Sequence, residues 1–288
     1  MRYILILITA LLICSCEKII DMEIPDNGRK PVVNCFIGDD QPVKLFLHRS
    51  RHILTNEWKF EVIHNASAVF TNELNQSDTL FEIFSDGVYQ MTSTVSDPGQ
   101  YRINVITDGI VISAVTSIPE KIPVLSTDTG TTVIDQVHYY TVDINFTDKP
   151  GQKNYYMAGL RRASDYGNYY DIFASSSDMS VTGVYEDKLI FSDELFDGKN
   201  KSFSIEIEKS NLWSSNDSVD LEVDLYSLSY DMYMYFITLE SQSYNSPFSE
   251  PVIVHSNINN GYGIFAGYSV FRYNLTVPAY NGSGWVEE

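Results

Sequence analysis

Val219-Asp220-Leu221-Glu222-Val223-Asp224-Leu225 alternates strictly between an aliphatic residue and a carboxylate. In an extended chain successive side chains point to opposite faces, so this stretch has one dry face and one wet face. That is the pattern of a strand in a sheet packed against a second layer. The same period of two recurs outward in both directions. Phe203-Ile205-Ile207 alternates with Ser204, Glu206 and Glu208, and Phe271-Tyr273-Leu275-Val277 alternates with Arg272, Asn274 and Thr276. Earlier in the chain, Tyr140-Val142-Ile144-Phe146, Tyr101-Ile103-Val105 and Val43-Leu45-Leu47 do the same. Asp86-Gly87, Asp97-Pro98-Gly99, Asp108-Gly109, Pro150-Gly151 and Asp197-Gly198 supply turns between the runs. The expected fold class is mainly all-β, as two antiparallel β-sandwich domains, the first immunoglobulin-like.

Ile118-Pro119-Glu120-Lys121-Ile122-Pro123 reads as the boundary, because two prolines flanking charge stop a strand. It divides an immunoglobulin-like sandwich at 31–118 from a second β-sandwich-like domain at 124–288. One segment departs from the rule of two. Between 229 and 243, Met232, Tyr235, Phe236 and Leu239 fall at helical spacing, Ser229 can cap the start, and Asp231 suits the helix dipole. One α-helix is expected there, laid over an open face or end of the second sheet, with a Tyr/Met-rich strand as the alternative.

The first residues carry a different signal. Met1-Arg2, an apolar stretch from Tyr3 to Ile13, and Ile13-Cys14-Ser15-Cys16 together match a lipoprotein signal peptide ending in a lipobox. The apolar run is shorter than the ~20 residues a spanning helix needs. Residues 1–15 are then the expected signal peptide, Cys16 the expected lipid attachment site, and 16–30 a lipidated tether. An ordinary cleaved signal containing a cysteine is the other reading. Loss of 15 residues from 288 would leave 273, and loss of Arg2 would take the net charge from −19 to −20. A chain this acidic repels nucleic acid and anionic membrane surfaces, so neither is an expected partner. Cys35, the one cysteine left, lies in Val32-Val33-Asn34-Cys35-Phe36-Ile37 and reads as a buried, inert thiol.

Catalytic signatures are missing: there is no Gly-x-Ser-x-Gly, phosphate loop, His-Glu-x-x-His or Cys-x-x-Cys. His48 and His52 form no convincing metal pair, and Asp39-Asp40 and Asp193-Glu194 read as solvated turns rather than an acid/base couple. No catalytic residue, metal or cofactor is expected, and the protein reads as not an enzyme. Tyrosine occurs 20 times. The best contact candidates are Arg161, Arg162, Tyr166, Tyr169 and Tyr170, because arginine and tyrosine are enriched where interfaces concentrate their energy.

Three blocks carry a family resemblance. They are Ser15-Cys16-Glu17-Lys18 with Pro31-Val32-Val33-Asn34; then Asp193 to Lys199; and then Asn245-Ser246-Pro247-Phe248-Ser249-Glu250-Pro251, Ser256-Asn257-Ile258 and Gly261 to Tyr268. Together they resemble the Bacteroidota lipoproteins catalogued as domain of unknown function 4249. The resemblance implies an outer-membrane lipoprotein encoded beside a TonB-dependent receptor, with no assigned activity. Within the third block, Pro247, Phe248, Pro251, Asn257, Gly261, Gly263 and Phe265 read as architectural. Tyr262 departs from the small or aliphatic residue expected between the glycines. Asp78-Thr79-Leu80 and Asp217-Ser218-Val219 resemble the O-glycosylation acceptor of exported Bacteroidota proteins, which nominates Thr79 and Ser218. The functional expectation is a lipid-anchored, surface-facing, non-enzymatic partner of a TonB-dependent receptor in nutrient uptake. An adhesion or envelope-structural module, and a hydrolase with an unrecognised carboxylate pair, are the alternatives.

Overall fold

The computed structural model describes residues 28–281 apart from 53, 57, 165–166 and 244–251. Seven strands come first: β1 (Pro31–Ile37), β2 (Pro42–Arg49), β3 (Ser67–Asn72), β4 (Ser77–Glu82), β5 (Val88–Thr94), β6 (Gly99–Thr107) and β7 (Ile110–Ile118). After the proline-flanked connection come β8 (Ser126–Ile134), β9 (Val137–Thr147), β10 (Tyr155–Ala163), β11 (Tyr169–Ile172), β12 (Val181–Tyr185) and β13 (Lys188–Ser192). The chain ends with β14 (Asn200–Glu208), β15 (Ser218–Leu228), helix α1 (Tyr230–Ser243) and β16 (Tyr262–Pro278). The chain is mainly β, as its alternation predicts.

Each half is two-layered. In the first, the β1-β2-β5 side faces β3-β6-β7, and β4 turns the corner by pairing with β3 up to Leu80 and with β5 from Phe81. Inward residues Cys35, Leu45, Ile103 and Ile112 fill the core beside Phe70 and Tyr89. In the second, β12-β13-β10-β15 continue into β16 and face a three-stranded sheet ordered β14-β9-β8. Aromatic rings dominate that core: Phe191 stacks on Phe203 at 4.2 Å, and Phe146, Tyr156 and Phe196 close around them.

β16 alters the expected division of the chain. Its first part, Tyr262 to Gly267, pairs with Val32–Ile37 of β1, and its remainder, Tyr268 to Pro278, pairs with β15. The sequence reading assigned everything after 124 to a second domain, yet Phe265 is fully buried in the first core while Val277 is buried in the second. The β1–β16 pairing is also parallel, an exception to the expected antiparallel sheets. A strand shared between layers has no local signature, because each half of it shows only ordinary alternation.

Two glycines make this possible. At Gly263, φ is +104° and a Cβ would lie 2.0 Å from the Val33 carbonyl oxygen. At Gly267, where β16 changes partner, a Cβ would meet the Ser117 carbonyl oxygen at 2.3 Å. The Gly267 amide donates to Ser229 Oγ and its carbonyl accepts from the Ser229 amide. Ser229 also caps α1, accepting from the Met232 amide at 3.2 Å. The helix forms where the 3.6-residue stripe placed it, but its footprint is wider than the second sheet. Met232 and Phe236 cover Met157, Ile190 and Leu228 of the second half together with Ile264 and Ala266, and Phe36 of β1 stacks on Phe236.

Gly263→Ala should therefore destabilise the chain by more than the ~1–3 kcal/mol of a strained φ alone, because a backbone oxygen blocks the new methyl. Gly109→Ala, at positive φ with open space around it, is the matched control. Urea denaturation of both variants checks this, and equal losses would contradict it.

Candidate functional site

The carboxylates of the alternating stretch in β15 point away from the second core, and Asp220 is exposed, yet the other two are not wet. Glu222 and Asp224 are 9% and 1% exposed. Register places Asp224 between Gly159 of β10 and Arg272 of β16, and Glu222 between Arg161 and Asn274. Arg161 pairs with Glu222, and its Nε lies 3.0 Å from Asp224. Arg272 Nε lies 3.6 Å from Asp224, and the same guanidinium forks onto Asp39 in the turn after β1, with Nη1–Oδ1 at 2.8 Å. Tyr226 donates to Asp224 at 3.1 Å. The Arg272–Asp39 pair carries this ladder of charge across the seam between the two halves. Burial pushes the Asp224 carboxyl above the usual carboxylate range, and the two guanidinium groups offset that only in part. The Asp39 contact raises Arg272 above arginine's ordinary value. Asp39, read from sequence as part of a solvated turn, is instead a half-buried ion-pair partner across the seam.

A second carboxylate group surrounds the 193–198 turn. Asp148, Asp193 and Asp197 bring one oxygen each within 4.8 Å of one another, the only such grouping of potential metal ligands among the described residues. Asp148 and Asp193 are buried, which corrects the reading of Asp193 as part of a solvated turn, whereas Glu194 is exposed as that reading expects. Their bonds are structural: Asp148 accepts from the Tyr156 hydroxyl and the Gly198 amide, Asp193 from the Asn154 amide at 2.8 Å, and Asp197 from the Gly151 amide at 2.9 Å. Burial, with Asp148 and Asp197 nearby, pushes Asp193 up. Beside the 149–154 loop a cavity of about 520 Å³ opens between the halves, lined by Pro98, Lys149, Lys153, Asn154, Tyr155 and Tyr230 among others. That volume suits a small ligand.

The contact residues predicted from sequence are brought together only in part. Arg161 is held in the charge ladder with its guanidinium 5.9 Å from the Tyr169 ring, and Arg162 donates to the carbonyl oxygens of Asn211 at 2.8 Å and Trp213 at 2.6 Å. Both arginines therefore serve the fold rather than project outward. Tyr169 and Tyr170 remain exposed on β11, an edge strand pairing with the end of β10, and Phe173 and Trp213 are exposed nearby in the chain and at the Arg162 contact. Tyr166 lies outside the described residues, as do Cys16, Pro247, Phe248 and Pro251. Asn257 clamps β16 to β7: its Nδ2 donates to Phe265 O at 2.7 Å and Val115 O at 3.2 Å, and its Oδ1 accepts from the Phe265 amide. Gly261 packs against the Pro31 carbonyl oxygen. Cys35 is buried and burial raises its thiol. Thr79 and Ser218 are exposed, in β4 and at the start of β15.

These features define a protein of two β-sandwiches welded along one strand, with a helix over the weld. The chain belongs to the family described as Domain of unknown function (DUF4249), whose profile matches residues 17–274. No curated protein matches it in sequence. Among solved structures it is similar to a DUF4785 family protein from Legionella pneumophila (11% identity, TM-score 0.24, 67% of this chain and 51% of that one). It is similar also to Salmonella alpha-2-macroglobulin (9%, 0.25, 88% and 15%) and to the full-length major pilin SpaD of Corynebacterium diphtheriae (12%, 0.19, 71% and 62%). The chain thus spans less than two thirds of each of these proteins, and the likenesses carry no argument about its function.

Removing Arg272 leaves Asp224 with less compensation and frees Asp39. Arg272→Ala should cost about 2–3 kcal/mol, below the ~3–5 of a fully buried pair because Arg272 is partly solvated. The sign of the pH dependence follows from Asp224. A carboxyl whose folded-state value is raised binds its proton more tightly folded than unfolded, so stability declines as pH rises through that range. Without Arg272 the carboxyl moves further up. The gap between variant and parent should therefore widen from pH 5 to pH 8 in urea melts; a gap that narrows would contradict the assignment.

Proposed function

We propose that the protein is an outer-membrane lipoprotein, held by acyl chains on Cys16, that acts as a non-enzymatic binding partner of a TonB-dependent receptor in nutrient uptake. The observation that carries this reading is the exposed aromatic edge at β11. Tyr169 and Tyr170 are exposed on a short strand, with Phe173 exposed just after it, and the arginines of the neighbouring β10 are pinned by Glu222, Asp224 and two backbone carbonyls. Rigid aromatic side chains on a fixed scaffold lose little entropy on binding, which is what an interface core needs. The lipobox at 13–16 supports the anchored setting. The cavity between the halves is where a small imported compound would meet the protein.

The Tyr169→Ala, Tyr170→Ala double variant should weaken co-purification of the receptor from native membranes by ≥ ~2 kcal/mol, with the melting temperature nearly unchanged. Unfolding of the variant would make these residues structural, and unchanged capture would remove β11 from the interface. Labelling with a palmitate analogue should mark the parent protein and not Cys16→Ala; equal labelling of both would end the anchored reading.

A further inference from the structure

The loop between β2 and Glu61 exposes apolar side chains that the fold does not use. Trp58 is 95% exposed, Leu54 64% and Phe60 53%. Three large apolar side chains exposed on one short loop form the kind of patch that marks a contact surface. The loop also has a fixed position relative to the start of the chain. Lys30 is hydrogen-bonded to its first residue in both directions, with the Ser50 amide donating to the Lys30 carbonyl at 2.7 Å and the Lys30 amide to Ser50 Oγ at 2.9 Å. Arg29 pairs with Glu61 at its far end, at 2.7 Å. The chain thus enters the fold alongside both ends of this loop. From Cys16 to Arg29 is thirteen residues, which span at most ~45 Å fully extended.

Charge at this end runs against the rest of the molecule. The chain carries a net charge of −19, yet positions 29–30 and 49–61 hold five lysines and arginines (Arg29, Lys30, Arg49, Arg51 and Lys59) against two glutamates, with Asp108 the further carboxylate paired to Arg49. The Arg51 guanidinium lies 4.7 Å from the Phe60 ring, and the Lys30 amine lies 5.0 Å from the Tyr262 ring. Between them is a cavity of about 480 Å³, lined by Val32, Ser50, Arg51, Thr55, Phe60 and Tyr262. Exposed tryptophan and phenylalanine beside arginine and lysine is the composition of a membrane interface, where aromatic rings sit at headgroup level and cations meet lipid phosphate.

The geometry points to this loop as a membrane-docking surface. Trp58, Phe60 and Leu54 enter the headgroup region of the bilayer that holds Cys16, and Lys30, Arg51 and Lys59 face its phosphates. The inference rests on the anchored half of the proposed function and is independent of the receptor. Insertion would fix the angle of the whole molecule on the membrane, which a tether alone leaves open.

The test uses the full-length protein purified from membranes, with Trp213→Phe and Trp285→Phe so that Trp58 alone emits. It is reconstituted into phosphatidylethanolamine/phosphatidylglycerol vesicles, with and without lipids brominated near the top of the acyl chains. Bromination should quench Trp58 at least ~2-fold and the vesicles should shield it from aqueous iodide. A companion protein retaining only Trp213 should show neither effect. Trp58 left open to iodide would overturn the inference, and so would shielding from iodide without bromine quenching, which would mark contact with protein instead. Intact mass of the same sample reports the acyl chains. A mass without them removes the anchor and the inference with it, whereas an acylated protein with an unquenched Trp58 refutes the loop alone.

Discussion

One continuous strand governs this structure. β16 completes the first sheet with its opening residues and the second with its remainder, so neither sandwich has its full complement of strands without it. A seventeen-residue strand that serves two cores must leave one partner and take another without breaking its own backbone. That demand falls on Gly267 and Ser229. The glycine lets the strand lie against Ser117, and the serine satisfies both polar groups of Gly267 while capping the helix that follows β15. Sheet, crossover and helix start are thus decided by two adjacent residues in space.

Everything near the weld answers the same constraint. Apolar groups from both halves meet under α1, where Phe36 from the first sandwich stacks on Phe236. Further along the same outer face the helix ends and the face would be open to water. There Glu222 and Asp224 are buried by cross-strand arginines and by Asp39 reaching over from the first sandwich. Buried ion pairs stabilise less than apolar packing of the same volume, but they penalise misalignment severely, because a slipped register leaves a carboxylate without its guanidinium. The hypothesis that follows is that the apolar helix contributes adhesion between the halves and the charge ladder sets their register.

Much of this was legible in the sequence, and the gaps have physical causes. The alternation in β2, β6, β9, β14 and β15 and the helical stripe at Met232 and Phe236 depend on local burial alone, so they could be read directly. The parallel pairing of β1 with β16 could not, because it joins residues some 230 positions apart and leaves no trace in either segment. Arg161 and Arg162 read as contact residues because two adjacent arginines before a polar loop look solvated. In the sheet they point to opposite faces and each finds acceptors supplied by distant segments, Glu222 and Asp224 for one and Asn211 and Trp213 for the other. Asp193 misled in the same way: Asp-Glu in a turn suggests water, but Asn154 and Asp148 from other loops enclose it. The Trp58 loop has no signature in the sequence, because a lone tryptophan among polar residues reads the same whether it is buried or exposed.

The long strand also gives the molecule a polarity. Tyr262, where β16 begins, lies beside Lys30 and the entry of the chain, whereas Asn274 is level with Arg161 and the β11 edge. Twelve residues of strand separate those levels, up to ~40 Å if the strand ran straight. The aromatic residues that suit a protein partner and those that suit a bilayer are therefore held at opposite ends of one rigid element. An anchored molecule with a free hinge between its sandwiches would sweep Tyr169 and Tyr170 through many heights above the membrane. With β16 hydrogen-bonded in both halves and α1 across the junction, that sweep is closed off, so in the proposed anchored setting the height of the β11 edge would follow from how the first sandwich sits.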